Sequence, residues 1–205
     1  MGFSNLVEIT AFTLISLFIS SLGATVVAGH RIVANISALT YMLPLSLAIA
    51  TMAAVGHAVG GRDWPRAHAT IKAALTLAAL SSTLVGVLLW VFAAPLIAAY
   101  TDDPAVRAVA GSLIVYIAVY QFFDALQTVA GHALRAYRVT FLPMLVQTLC
   151  FWGVGLLGGS WLCYRWSPPL GVAGFWLASA ISLVLAAAML LPLLRKAMLA
   201  TELSP

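Results

Sequence analysis

Two carboxylates stand where the sequence is otherwise apolar: Glu8 in the run 6–28 and Asp124 in the run 108–132. A charge at the centre of a bilayer costs about 2.5–3.5 kcal/mol even on the lenient insertion scale, so each group needs a partner that justifies its place. Removal from water disfavours the ionised carboxyl, which makes both residues candidates for binding a proton or sodium. Tyr116, Tyr120, Asp124, Gln127 and Gly131 follow one another at spacings that put them on a single helical face. Such a polar stripe in an apolar helix predicts a cavity or a bundle interior on that side, with Ile117, Phe122 and Leu126 turned to lipid. A purely structural hydrogen-bond seam would use the same residues, with Asp124 protonated and bonded to a neighbouring carbonyl. Glu8, roughly 10 Å along a helix from residue 1, also fits the headgroup boundary.

Other chemistries find less support. His30, His57, His68 and His132 fall at or near the ends of apolar runs, without a His-Glu-x-x-His pair or a Cys-His cluster, so no metal is expected beyond sodium. No Gly-x-Ser-x-Gly elbow is present, and the chain is not expected to be an enzyme or to need a cofactor. Cys150 and Cys163 read as packing residues rather than as a disulfide framework. Asn35, Ser37, Tyr41 and Ser46 are dispersed around their segment and fit interhelical hydrogen bonds, with Asn35 also a candidate for a cavity wall. The pair Asp102-Asp103 before Pro104 reads as a helix start.

The elements that must carry these groups are membrane helices. The chain has 205 residues, 63% of them hydrophobic and 8% charged, far from the balance of soluble domains. Apolar runs at about 6–28, 32–56, 69–99, 108–132, 141–163 and 170–194 are each long enough to span. Their continuity, without period-two alternation, favours helices over barrel strands. The first run lacks a basic leader and is too long for a signal peptide, so it is expected to remain. Leu6 stands where a myristoylation signal wants Ser or Thr. Arg62, Arg66, Lys72, Arg135, Arg138, Arg195 and Lys196 fall on one side of this topology and Arg31, Arg107 and Arg165 on the other, which predicts cytoplasmic termini in the inner membrane. The basic residues do not cluster on one face, so nucleic acid is not an expected partner. Gly56 with Gly60, and Gly155 with Gly159, predict close helix contacts. Pro44 predicts a kink or break that frees carbonyls near Thr40.

The order of motifs resembles one family. Glu8-Ile9-Thr10-Ala11-Phe12, Leu22-Gly23-Ala24, Ala28-Gly29-His30-Arg31-Ile32 with Asn35, Met42-Leu43-Pro44-Leu45-Ser46 and Val55-Gly56-His57 with Gly60 resemble the second lobe of NorM-type multidrug and toxic compound extrusion (MATE) antiporters. So do Val119-Tyr120-Gln121-Phe122-Phe123-Asp124 with Gln127, Gly131 with Leu134-Arg135-Ala136-Tyr137, and Gly171 with Gly174-Phe175-Trp176. The resemblance implies an all-α polytopic membrane protein, with residues 1–205 forming a six-helix bundle equivalent to one lobe of a twelve-helix transporter, the N-terminal lobe being absent. It implies that Glu8 and Asp124, with Tyr120 beside them, bind the coupling cation, sodium or a proton. It further implies export of lipophilic cationic drugs, within membrane lipid, alongside a second lobe or a second copy of the chain. Arg31 stands where the family has Gln, Ala54 where it has Arg and Ala136 where it has Gly; an Arg31 facing the cavity would repel cations. Tyr116, Gln127, Asn35 and Arg31 are the expected cavity lining. A transport-inactive fragment keeps the same fold with another role, and a lipid-linked sugar flippase would require more cationic side chains deep in the bundle.

Overall fold

The computed structural model describes the backbone of residues 2–202 and the side chains of residues 9–200. Helix α1 (Gly2–Ile19) runs into a 3-10 turn at Ser20–Leu22, and Gly23 with φ 103° reverses the chain before α2 (Ala24–Gly60). That backbone angle is one that glycine alone adopts cheaply. The expected boundary between 28 and 32 therefore lies within a helix: the chain turns earlier, and His30 and Arg31 belong to α2 rather than to a loop. Pro44 does not break α2, which runs through it, and the single Thr40 hydroxyl proton is shared among the carbonyls of Ile36 (3.1 Å) and Ser37 (3.0 Å) and Gln121 Oε1 (3.1 Å).

Helix α3 (Trp64–Val91) starts on Asp63, whose carboxylate accepts from the Arg66 amide at 3.1 Å, with Pro65 in the first turn. It ends before Phe92, and a short α4 (Ala93–Ala98) follows, so the expected run 69–99 is divided. Helix α5 (Pro104–Ala136) starts the same way: Asp103 accepts from Ala105 N at 2.8 Å and Val106 N at 3.4 Å, and Pro104 fills a position whose N–H would have had no partner. Both α2 and α5 end in a Schellman turn. Asp63 N reaches Ala58 O (2.9 Å) and Val139 N reaches Leu134 O (3.0 Å), with Arg62 (φ 55°) and Arg138 (φ 61°) at the left-handed position where glycine usually stands. Helix α6 (Phe141–Thr148) then widens into a π-helical stretch at Leu149–Gly158 and narrows again in α7 (Gly159–Tyr164). Helix α8 (Val172–Glu202) closes the bundle.

Among the described residues, α2, α3, α5, the stretch Phe141–Tyr164 and α8 are long and apolar enough to cross a membrane, and Ile9–Leu22 is a shorter apolar helix. Helix α5 is the centre, packed against α2, α3 and α8. Its position explains a misplaced expectation: Ile117 is fully buried among Val33, Leu113 and Trp176, whereas Val115 and Val119 are the exposed apolar side chains of that stretch. An element enclosed by three neighbours keeps little lipid face. The wide apolar surface lies instead on outer helices, at residues such as Leu80, Leu84 and Trp90. The glycine pairs also separate. Gly159 lies against Phe175 so closely that a Cβ would stand 2.6 Å from Cδ1, and Gly155 faces Ser182, whereas Gly56 and Gly60 have nothing within 4 Å of a Cβ. Cys150 and Cys163 are free and buried.

Candidate functional site

Between α1, α2, α5 and α8 lies a cavity of about 780 Å³. Helix α5 gives it a polar wall made of Tyr120, Asp124, Gln127, Thr128, His132 and Arg135, and α6 adds Gln147. The spacing follows the helical repeat, so one face of α5 carries polar groups from mid-helix to its last turn. Asp124 is 3% exposed. Its Oδ1 accepts from Gln127 Nε2 at 3.0 Å, the same nitrogen donates to Thr128 Oγ1 at 3.0 Å, and Gln127 Oε1 accepts from Gln147 Nε2 at 3.2 Å.

Lower on α5, His132 Nδ1 lies 2.9 Å from the Thr128 carbonyl and Nε2 lies 3.3 Å from Arg135 Nη1. A carbonyl and a guanidinium leave one arrangement, in which Nδ1 donates to the carbonyl and Nε2 accepts from Arg135, so the ring is neutral in this contact. Arg135 follows Asp124 by eleven residues, which is roughly 16 Å along the helix axis. The wall thus carries a carboxyl at mid-depth and a cation at one end.

The other walls are largely apolar and aromatic, with Thr13, Ser16, His30, Ser37, Tyr41 and Ser179 among them. Phe12 and Ile15 come from α1, Leu45 and Met52 from α2, Phe175 and Trp176 from α8. The Trp176 ring stands 6.1 Å from Tyr120 in edge contact and 5.7 Å from His30. His30 Nε2 lies 3.3 Å from Ser16 Oγ, which ties α2 to α1. Rings of this kind stabilise large organic cations that shed water reluctantly only at their charged centre.

Of the residues singled out in the sequence, Tyr120, Asp124 and Gln127 meet at this cavity. The side chain of Glu8 lies outside the described residues, while its helix lines the cavity through Ile9, Phe12 and Ser16. Tyr116, Asn35 and Arg31 are not among the lining residues. Tyr116 packs against the cluster around Ile114 and Ile117, one turn beyond the cavity. Asn35 accepts from the Tyr100 hydroxyl at 2.9 Å on an exposed face, and Arg31 is exposed beside the buried His30. Thr128, His132, Arg135, Gln147, His30 and Trp176 also line the cavity, beyond the residues the sequence singles out for it. Gln147, a lone amide in the apolar run of α6, is the available signal; His30 and His132 fall at or near the ends of apolar runs, and the helices extend farther than those runs. Among the described residues no group of three or more His, Cys, Asp or Glu gathers in metal-binding geometry.

Comparison with known proteins agrees with this architecture. Residues 1–161 match the family described as MatE. The chain is 52% identical over 202 residues to the "Probable multidrug resistance protein NorM" of Aromatoleum aromaticum, covering 97% of this chain and 43% of that protein. It is 40% identical over 197 residues to the "Multidrug resistance protein PmpM" of Pseudomonas aeruginosa, covering 93% of this chain and 40% of that protein. The fold superposes on an outward-facing multidrug resistance MATE family transporter with a TM-score of 0.88 at 16% identity, over 98% of this chain and 45% of that one. A eukaryotic MATE transporter gives a TM-score of 0.82 at 16% identity over 93% of this chain. The chain therefore spans less than half the length of the relatives it matches.

Proposed function

The chain belongs to the MatE family of membrane transport proteins, and from that premise we propose that it forms one lobe of a secondary active exporter of lipophilic organic cations, driven by sodium or proton exchange. The observation that carries the proposal is Asp124, 3% exposed yet on the wall of a 780 Å³ cavity whose other walls are largely apolar and aromatic. Asp124 binds the coupling ion, with Tyr120 on the same wall and Glu8 from α1 as the second carboxyl. Two carboxyls at one site would titrate as a coupled pair. The ion can drive export only by binding the inward and outward states with different affinity, so its arrival on Asp124 must alter the contacts of this lobe. The drug uses the aromatic wall, and the two ligands compete for the negative charge.

The names of its relatives support multidrug export as the activity of the complete assembly, which a second lobe or a second copy of this chain completes around a shared cavity. The complete transporter sits in the inner membrane with the basic ends of α2, α3, α5 and α8 toward the cytoplasm. A lipid-linked sugar phosphate as cargo fits less well, because the cavity wall offers Arg135 at one end and otherwise neutral or acidic groups. The test is efflux of a fluorescent lipophilic cation from cells expressing the chain with its second lobe. Asp124→Asn should abolish the stimulation of efflux by an imposed sodium or proton gradient; unchanged gradient-driven efflux would remove the proposal.

A further inference from the structure

Buried amides orient according to what they face. An ionised Asp124 offers acceptors only, so Gln127 must turn Nε2 toward it, as found at 3.0 Å. The second N–H of that nitrogen goes to Thr128 Oγ1, which leaves Oε1 on the side of α6, where Gln147 Nε2 donates to it at 3.2 Å. Gln127 is 1% exposed, Thr128 2% and Gln147 8%, so solvent does not readily replace a lost partner in this chain of bonds.

We propose that Gln127 and Gln147 form an amide relay that reports the charge state of Asp124 to α6: a cation held at Asp124 turns both amides over together. The inference rests on the reading of Asp124 as the cation site. Sodium at the carboxylate repels an N–H and attracts a carbonyl oxygen, so Gln127 presents Oε1 to it. A proton on Asp124 makes the carboxyl a donor, with the same demand. Either event swings Gln127 Nε2 toward Gln147 Nε2, two donors cannot face each other, and Gln147 turns its own oxygen inward. The Thr128 hydroxyl serves both arrangements because it donates or accepts by rotation. Gln147 lies in the last turn of α6, directly before the π-helical stretch that packs against α1 and α8. The reorientation is thereby delivered to the segment that touches the other walls of the cavity.

The glutamines of the chain are Gln121, Gln127 and Gln147, so side-chain 15N labelling of glutamine gives an assignable set of NH₂ signals in the purified full chain in lipid nanodiscs. One arm replaces choline chloride by sodium chloride at fixed pH, and a second lowers the pH without sodium. Among the described residues His30, Tyr41, Tyr120, His132 and Arg135 are the other titratable groups on the cavity wall, and Glu8 is the second carboxyl of the proposed site; histidine answers acid but not sodium, and the arms separate that effect. In at least one arm the Gln127 and Gln147 signals should move together, and both movements should be lost in Asp124→Asn. Gln121, whose Oε1 accepts from Thr40 Oγ1 at 3.1 Å, should stay still. In Gln147→Met the Gln127 signal should still move, because Asp124 still sets its orientation, while no coupled amide signal remains on α6. Movement of Gln127 without Gln147 in the parent would end the relay and leave the cation site standing. No movement at Gln127 in either arm would end the cation site and the relay with it.

Discussion

Gln127 donates from one side-chain nitrogen to Asp124 Oδ1 at 3.0 Å, three residues back along the same helix, with both groups shut away from solvent. The geometry lets α5 stabilise its own buried carboxyl before any other helix contributes. Hydrogen bonds to charged groups contribute about 1.5–3 kcal/mol. Gln127→Leu should therefore lower the thermal stability of the chain in detergent by a loss of that order. In the Asp124→Asn background, where the acceptor is neutral, the same substitution should cost about half as much. A double-mutant cycle reads the difference; equal losses in both backgrounds would show that Asp124 carries no charge in the resting protein.

Adjacent aspartates at the start of α5 should behave differently. Asp103 caps the helix through Ala105 N and Val106 N, and its loss in Asp103→Ala should cost about 1 kcal/mol. Asp102 meets Arg107 Nη2 at 2.8 Å but is fully exposed, so solvent competes with the pair and Asp102→Ala should leave thermal unfolding unchanged. The pair Asp102-Asp103 before proline is readable in the sequence as a helix start; which of the two does the capping is decided by the backbone direction at residue 103.

Glycines in crowded and in open surroundings should respond in opposite directions to alanine. At Gly174 a Cβ would stand 2.9 Å from Cys163 N and 3.0 Å from Leu162 C, backbone atoms that cannot move aside. Gly174→Ala should therefore destabilise the chain by about 1–3 kcal/mol. At Gly56 nothing lies within 4 Å, and Gly56→Ala should stabilise α2 by about 0.5–1 kcal/mol through reduced chain entropy. Thermal unfolding of both variants in the same detergent makes the comparison.

These glycines show where sequence reading stops. Hydropathy is a property of the chain alone, and it locates the membrane helices though not their ends; the spacing of Tyr120, Asp124 and Gln127 likewise identifies the face of α5 that meets the cavity. Contacts between helices depend on which neighbour arrives. Gly155-x-x-x-Gly159 meets α8, while Gly56-x-x-x-Gly60 meets nothing. Tyr116 shares the spacing of the polar stripe, but it packs against the apolar cluster of Val33, Ile114 and Ile117 and is not among the cavity lining. His30 looks like a boundary residue until Gly23 turns the chain and α2 starts at Ala24, six residues before it. Gln147 has no partner in its own segment, and its significance arises only when Gln127 is brought to 3.2 Å.

The aromatic wall supplies the last test, because it separates binding of the drug from coupling to the ion. Trp176 lines the cavity with its ring in edge contact with Tyr120 at 6.1 Å, and its indole N–H has no hydrogen-bond partner among the described residues. A cation over an indole gains about 0.5–1 kcal/mol at exposed sites and about 2 kcal/mol when desolvated. Trp176→Leu keeps an apolar side chain in the cluster with Val33 and Ile117 while removing the ring face. The apparent affinity for tetraphenylphosphonium, a cation without hydrogen-bonding groups, should fall by about 2- to 30-fold. The response of the Gln127 side-chain amide to sodium or acid should persist, because Trp176 meets Tyr120 only by a ring edge and its indole N–H bonds to none of the ion-site groups. If cation affinity is unaffected while the protein remains folded, the drug does not rest on this wall; if the Gln127 response disappears as well, the aromatic wall and the ion site are one unit rather than two.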